Sequence, residues 1–327
     1  MTRSLDAVPA SLLTETNPKT DKSRKHGYLT AILHLAPGRL GGANVCPFAT
    51  PGCLSACLNT AGHGGIALDA EGLNTVQRAR IRRTRFMRQR VAFWAMLERD
   101  IAAHLRRCER LGLRPAIRLN GMSDLAWERR RALVGGVWHE NVMRAWPGIE
   151  FYDYTKSRPS LRGERGTGKL PPNYHLTYSL SEHEDSEAFA AEALALGWNV
   201  AVVFGLRKDG RRKRKRLPAT FWGMPVIDGD AHDVRFLDPR GVIVGLRAKG
   251  RALRDDTGFV RWVVVLEDEE WVLWKRKGRR GRLRRRSTRR SGRKVGASGS
   301  RCDLGAGRLR SASIRAGRSS LRSHLRT

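Results

Sequence analysis

Cys46, Cys53 and Cys57 fall within twelve residues, in the stretch VCPFATPGCLSACLNTAGHGG (45–65), and His63 follows closely. Thiolates are soft ligands that suit iron–sulfur clusters and zinc. The spacing C-x6-C-x3-C supplies three of them from a segment rich in Gly, Pro and small residues, too irregular to read as a helix or a strand. Three cysteines leave one iron of a 4Fe-4S cluster open to a substrate or cofactor. For zinc, His63 completes a Cys3His tetrahedron. The competing reading is three small side chains packed in a loop, because free cysteine is often buried. The chain has five cysteines, an odd number and mostly clustered, which argues against a disulfide framework and for metal or redox chemistry in a reducing compartment.

Further polar groups recur at places where chemistry is done. Asn120, Ser123 and Asp124 form the turn NGMSD and are candidates for holding a cofactor or substrate. Asp153 and Lys156 end the run FYDYTK, where an Asp can act as a base or hold an amine. Ser179 and Glu182 sit in YSLSEH. Asp228 and Asp230 open an Asp-rich segment with Asp233, Asp238 and His232, a density that can bind a hard cation or anchor a ribose. Asp153, Lys156 and Glu182 are the catalytic candidates; Asn120, Ser123, Asp124, Ser179, Asp228 and Asp230 are the cofactor-binding ones. Each has a plain alternative: a salt bridge to one of many arginines, or an Asp-rich turn. No Ser–His–Asp triad can be assigned. The run GERGTGK (163–169) imitates a phosphate loop, but Leu170 stands where Ser or Thr is required and Pro171 and Pro172 follow, so it reads as a surface loop.

The elements that must position these groups alternate. Strand patterns read at 27–37, 115–120, 148–154, 174–179, 199–204, 224–228 and 241–247. Helical spacing runs over 73–111, as one long helix or one broken once, with Asn74 as N-cap, and helices are expected over 125–145 and 185–196. A closing strand and a short helix are expected over 259–274. This order predicts an α/β fold: a partial or complete parallel β/α barrel of about six strands, with the cysteines on a long loop after the first. An open doubly wound sheet is the alternative. In either, ligands bind beyond the C-terminal strand ends, which is where all the polar clusters fall, so one shared cleft is expected.

The 327 residues carry a net charge of +32, unevenly spread. From Lys275 to Thr327 there are twenty Lys or Arg and one acid, with no aromatic residue. That composition cannot build a core. The expected organisation is therefore a flexible basic arm over 1–26, one β/α domain over 27–274 and a disordered Arg/Ser/Gly-rich tail over 275–327. The tail also has the composition of a translated wrong reading frame. The tail and the run Arg207–Arg216 are candidate phosphate contacts to a nucleic acid. No apolar run is long enough to cross a membrane and the N-terminus lacks a secretory h-region, so a cytoplasmic protein without a membrane partner is expected.

A three-cysteine loop after the first strand, with a Gly-containing turn after the second, resembles the layout of radical S-adenosylmethionine enzymes. The spacing departs from their usual C-x3-C-x2-C. That resemblance implies a 4Fe-4S cluster and S-adenosylmethionine as cofactors, and an enzyme acting on a nucleotide or nucleic-acid-related substrate. The alternative is a non-enzymatic nucleic-acid-binding protein with a structural Zn2+. A closer resemblance runs from about Tyr28 to Val260. The segments CPFATPGCLSACL, AIRLNGMSD, FYDYTK, NYHLTYSLSE, GWNVAVVF, VIDGDAHDVRFLDP and VGLRAKG together resemble the bacteriophage gene product 88 family. It implies a phage or prophage origin and a bacterial host, and little about activity.

Overall fold

A computed structural model describes residues 4–15, 18–60, 72–163, 168–207, 216–265, 271–275 and 282–283. His63, the basic run from 208 to 215 and nearly all of the tail lie outside the described residues. All described residues belong to one compact unit, 1–286.

In chain order the elements are β1 (Leu13–Thr14), α1 (Pro18–Arg24), β2 (Tyr28–Leu33), α2 (Pro51–Ser55), α3 (Thr75–Phe86), α4 (Arg90–Leu111), β3 (Arg114–Arg118), β4 (Ala132–Val134), β5 (Val137–His139), α5 (Val142–Ala145), β6 (Glu150–Thr155), β7 (Tyr174–Ser179), α6 (Ser186–Ala195), β8 (Asn199–Arg207), β9 (Thr220–Phe221), β10 (Met224–Asp228), β11 (Ile243–Arg247), β12 (Arg261–Val265), β13 (Trp271–Lys275) and β14 (Arg282–Leu283).

The fold is α/β, built on a mostly parallel sheet of order β1-β2-β3-β6-β7-β8-β11-β10-β9. Every neighbour from β2 through β10 is parallel. β1 and β9 lie antiparallel at the two ends. Among the described residues no pairing joins these ends, so the complete barrel is not formed and the sheet stays open. β2 is buried at all six positions, as a strand covered on both faces must be.

The helices α4 and α6 lie on one face. Phe93, Trp94, Leu97 and Ile101 of α4 pack on Ala31, Leu33, Ile117, Phe151, Tyr174 and Leu176. Ala190 and Ala193 of α6 pack on Tyr178, Val200, Val202 and Phe204. Tyr174, Leu176 and Tyr178 alternate along β7, so both helices cover the same face. The doubly wound alternative needs helices on both faces and is not the arrangement of this pair. The opposite face is closed by the β10–β11 connection: Phe236 sits edge-on to Tyr28 and Tyr152, with centroids 4.8 and 5.7 Å apart.

The helical stretch over 73–111 has one break, between Phe86 and Arg90, and Asn74 caps its first half by accepting from Gln77 N at 2.9 Å. Other expectations change. The helix expected over 125–145 is instead a 3-10 turn (Trp127–Arg129), the β4–β5 hairpin and α5. The reason is Gly135 and Gly136, both at positive φ (58° and 78°), which make a tight turn between paired strands. The short helix expected near 270 is a strand, β13, paired with β12. The described part of the arm over 1–26 is docked. Asp100 of α4 accepts from the amides of Leu12 and Leu13 at 2.6 and 3.2 Å, and Glu15 holds His104 and Arg107, each at 2.6 Å. No described helix is long and apolar enough to cross a membrane.

Candidate functional site

Parallel strands that run the same way deliver their following loops to one edge. Here β2, β3, β6 and β7 bring the cysteine loop, the Asn120–Asp124 turn, Lys156 and the Ser179–Glu182 turn together. The cysteine loop is stitched to the β3 turn: Asp124 N donates to Val45 O at 2.8 Å, and the Cys46 thiol donates to Met122 O at 3.4 Å while accepting from Gly38 N at 3.3 Å. The loop is not wholly irregular. Thr50 caps the one-turn helix α2, which carries Cys53, by accepting from Cys53 N at 3.2 Å, and Pro51 opens it.

Glu182 clamps this helix from the end of β7. Its carboxylate accepts from Gly52 N at 2.6 Å and from Thr50 Oγ1 at 2.8 Å. A side chain at residue 52 would collide with Glu182 and Thr257, so only glycine lets the helix approach. The sheet itself makes room for this clamp. β7 pairs with residues 199–201 of β8, and β12 takes over with residues 204–207, while β11 holds the other edge through Phe204. That handover sets the turn after β7 beside the segment before β12, and Arg261 donates to Ser181 O at 3.1 Å.

Lys156 Nζ donates to Ser179 Oγ at 2.7 Å and to Ser179 O at 3.2 Å, and lies 4.8 Å from the Phe259 ring centroid. Cys53 packs among Ala56, Ala252, Phe259 and Val260. All three thiols are pushed up in pKa, first by burial. Cys46 rises to about 11, with Cys57, Cys53 and Asp124 adding to the rise. Cys53 is opposed by Cys57, Asp124 and Glu182 and eased by Lys156; Cys57 is eased by the Asn59 backbone and Arg80. The three thus share one electrostatic neighbourhood and stay protonated near neutrality. Their donor chemistry suits a thiophilic metal. Their spacing here does not form a ligand set: among the described residues no group of three His, Cys, Asp or Glu side chains could hold a metal ion.

The other expected site residues fall into two groups. Beneath the mouth, Asn120 and Asp153 brace the backbone. Asp153 accepts from Asn120 N at 2.6 Å, Asn120 Nδ2 at 3.2 Å and Tyr174 OH at 3.1 Å, and is only 1% exposed. Burial pushes its pKa up to about 7 against the lowering effect of Arg118. Asn120 Oδ1 accepts from Ser123 Oγ, Leu125 N and Trp127 Nε1 at 2.8, 3.0 and 3.1 Å. Asp124 accepts from Lys156 N at 2.8 Å and pairs with Arg162 at 3.3 Å, its pKa raised by burial. Asp228 and Asp230 lie at the end of β10 and are engaged elsewhere: Arg247 binds both, at 2.7 and 3.3 Å, and Lys249 binds Asp230 at 2.5 Å. Both carboxyls sit below their usual range because these hydrogen bonds outweigh burial.

Arg162 was not singled out by sequence. It is 1% exposed, grips Glu128 through Nε and Nη2 at 2.7 and 3.0 Å, and donates to Thr155 Oγ1 at 2.6 Å. It ties the β6 end to the turn after β3. Its partner Glu128 lies 34 residues away, and no local pattern marks such a pair.

A parallel α/β sheet with a cysteine-bearing mouth is the class that fold and site define. The family model Gene product 88 matches residues 11–262, and the chain belongs to this bacteriophage gene product 88 family. No curated protein and no solved structure matches the chain.

Proposed function

We propose that the mouth formed by the ends of β2, β3, β6 and β7 is a catalytic site whose Cys46, Cys53 and Cys57 take a thiolate-ligated metal centre. The observation that carries this reading is the half-buried loop that holds the three thiols, stitched to the β3 turn through Cys46 and clamped by Glu182 at the helix that carries Cys53. Buried thiolates need a nearby cation, and a bound metal supplies that charge as each thiol loses its proton. Ligation requires the loop to draw the three sulfurs together. In its most specific form the centre is a 4Fe-4S cluster with S-adenosylmethionine, in an open, barrel-like half-ring of strands, acting on a nucleotide or nucleic-acid-related substrate. In that form Lys156, Ser179 and Asp124 flank the substrate, and Asn120 and Asp153 keep the β3 turn rigid beneath it.

The test is anaerobic purification and reconstitution, with iron, sulfide and zinc counted per chain. About four iron and as much sulfide, lost in a C46A/C53A/C57A variant, supports the cluster. About one zinc per chain, also lost in the variant, replaces it with a structural site. Equal metal in variant and parent, or none in either, overturns the reading.

A further inference from the structure

The β4–β5 hairpin carries a surface unlike the rest of the described chain. Trp138 is 37% exposed and Val137 60% exposed, at the tip of a hairpin whose base packs on α4. The guanidinium carbons of Arg90 and Arg131 each lie 5.5 Å from the Trp138 ring centroid. Arg129, Arg130 and Arg131 are consecutive and exposed. Arg130 lies 5.8 Å from the ring of Trp127, and its pKa is lowered by partial burial and then by the charge of Arg90. Among the described residues none of Arg90, Arg129, Arg130 and Arg131 makes an ion pair with an acid, whereas Arg85, Arg99, Arg107 and Arg158 all do. The acids in the neighbourhood are Glu98, whose Oε1 accepts from Gly135 N at 3.0 Å, and the exposed Glu140.

These cations lack acidic counter-charges, and two of them, Arg90 and Arg131, flank the exposed indole, while Arg130 lies over Trp127 and Arg129 donates to Leu161 O at 3.4 Å. A polyanion with stacking bases relieves both features: phosphates take the guanidinium groups, and a flat base covers the tryptophan. Paired bases offer no free face to an indole on a surface hairpin, which favours an unpaired strand. We propose that the β4–β5 hairpin, through Trp138, Arg90, Arg130 and Arg131, binds single-stranded nucleic acid. The surface also communicates with the mouth. Trp127, which Arg130 overlies, donates from Nε1 to Asn120 Oδ1, so a strand held on the hairpin lies one turn of chain from the end of β3. The proposal does not depend on a metal centre.

The experiment uses the full chain and a labelled oligonucleotide of about twelve nucleotides, within the site sizes such surfaces cover. Affinity is read by fluorescence anisotropy across a salt series, and contact by photo-crosslinking with thio-substituted bases and peptide mapping. W138A is expected to weaken single-strand binding about tenfold. The pair R90Q/R131Q is expected to lower the slope of log affinity against log salt by about 1.4, or about 0.7 for each phosphate contact to a single strand. Crosslinks are expected within residues 127–144. Absence of crosslinks from the hairpin overturns the proposal, as does W138A binding within twofold of the parent. A duplex bound more tightly than the single strand and indifferent to W138A also overturns it, as does hairpin-dependent binding only to vesicles of anionic lipid.

Discussion

At the scale of single residues, the site depends on side chains acting on backbone. Glu182 holds the amide of Gly52 and the hydroxyl of Thr50, and so fixes where Cys53 stands. Glu182→Ala removes two charge-assisted hydrogen bonds from a one-turn helix that has little stability of its own. The expected outcome is a rise of about tenfold in the rate of Cys53 alkylation at neutral pH, the equivalent of one such bond lost from the protected state. Glu182→Gln, which keeps one acceptor oxygen, falls between. Peptide-resolved mass spectrometry after timed iodoacetamide exposure reads this directly, and an unchanged Cys53 rate removes Glu182 as the clamp. The identity of these residues was legible in the chain as a Glu following strand β7 and a Gly preceding a cysteine. Their partnership was not, because 130 residues separate them.

At the scale of elements, α4 and α6 set the site by covering one face of the sheet and leaving the strand ends free. Most of the apolar face of α4 was readable from its spacing: Trp94, Leu97 and Ile101 recur at helical intervals and are buried, whereas Val91 in the same pattern is 63% exposed and Phe93 is buried instead. Gly112, in the left-handed conformation at φ 61°, ends the helix where the pattern stops. Leu97 is 1% exposed within this packing. Leu97→Ala is expected to destabilise the chain by about 2–5 kcal/mol, measured by urea unfolding. A loss below about 1 kcal/mol shows that α4 is not the sheet's main cover. The β4–β5 hairpin falls inside the segment expected to be a helix, 125–145. Only the two glycines, free to take positive φ, carried the turn signal.

At the scale of the whole molecule, burying a carboxyl under the mouth has a consequence for stability. Asp153 is pushed up to about 7 in the fold, above its ordinary value near 3.8. Between these values the folded state binds more protons than the unfolded one. The contribution of Asp153 is therefore greatest below the lower value and is lost as pH rises towards neutrality. Asp153→Asn cannot titrate, so its stability is expected to change less than the parent's between about pH 4 and 7. Urea midpoints collected across that range check this, and parallel curves for parent and variant contradict it.

The sequence by itself determined the mostly parallel α/β class, the family and much of the alternation of strands and helices, though not the β4–β5 hairpin or β13. These are local or sequential properties: apolar periodicity, glycine and proline punctuation, and segment order survive without knowledge of contacts. Only the tertiary structure decided which polar groups share a place. It gathers Cys53, Lys156, Ser179 and Glu182 at one mouth, sends Asp228 and Asp230 to Arg247 and Lys249, and spends Asn120 and Asp153 on holding a turn. A side chain's partners are fixed by strand order and by the handover from β7 to β12 along β8, and those pairings join residues far apart in the chain. The three cysteines are thus legible as a cluster in the sequence, while their neighbours are legible only in the fold.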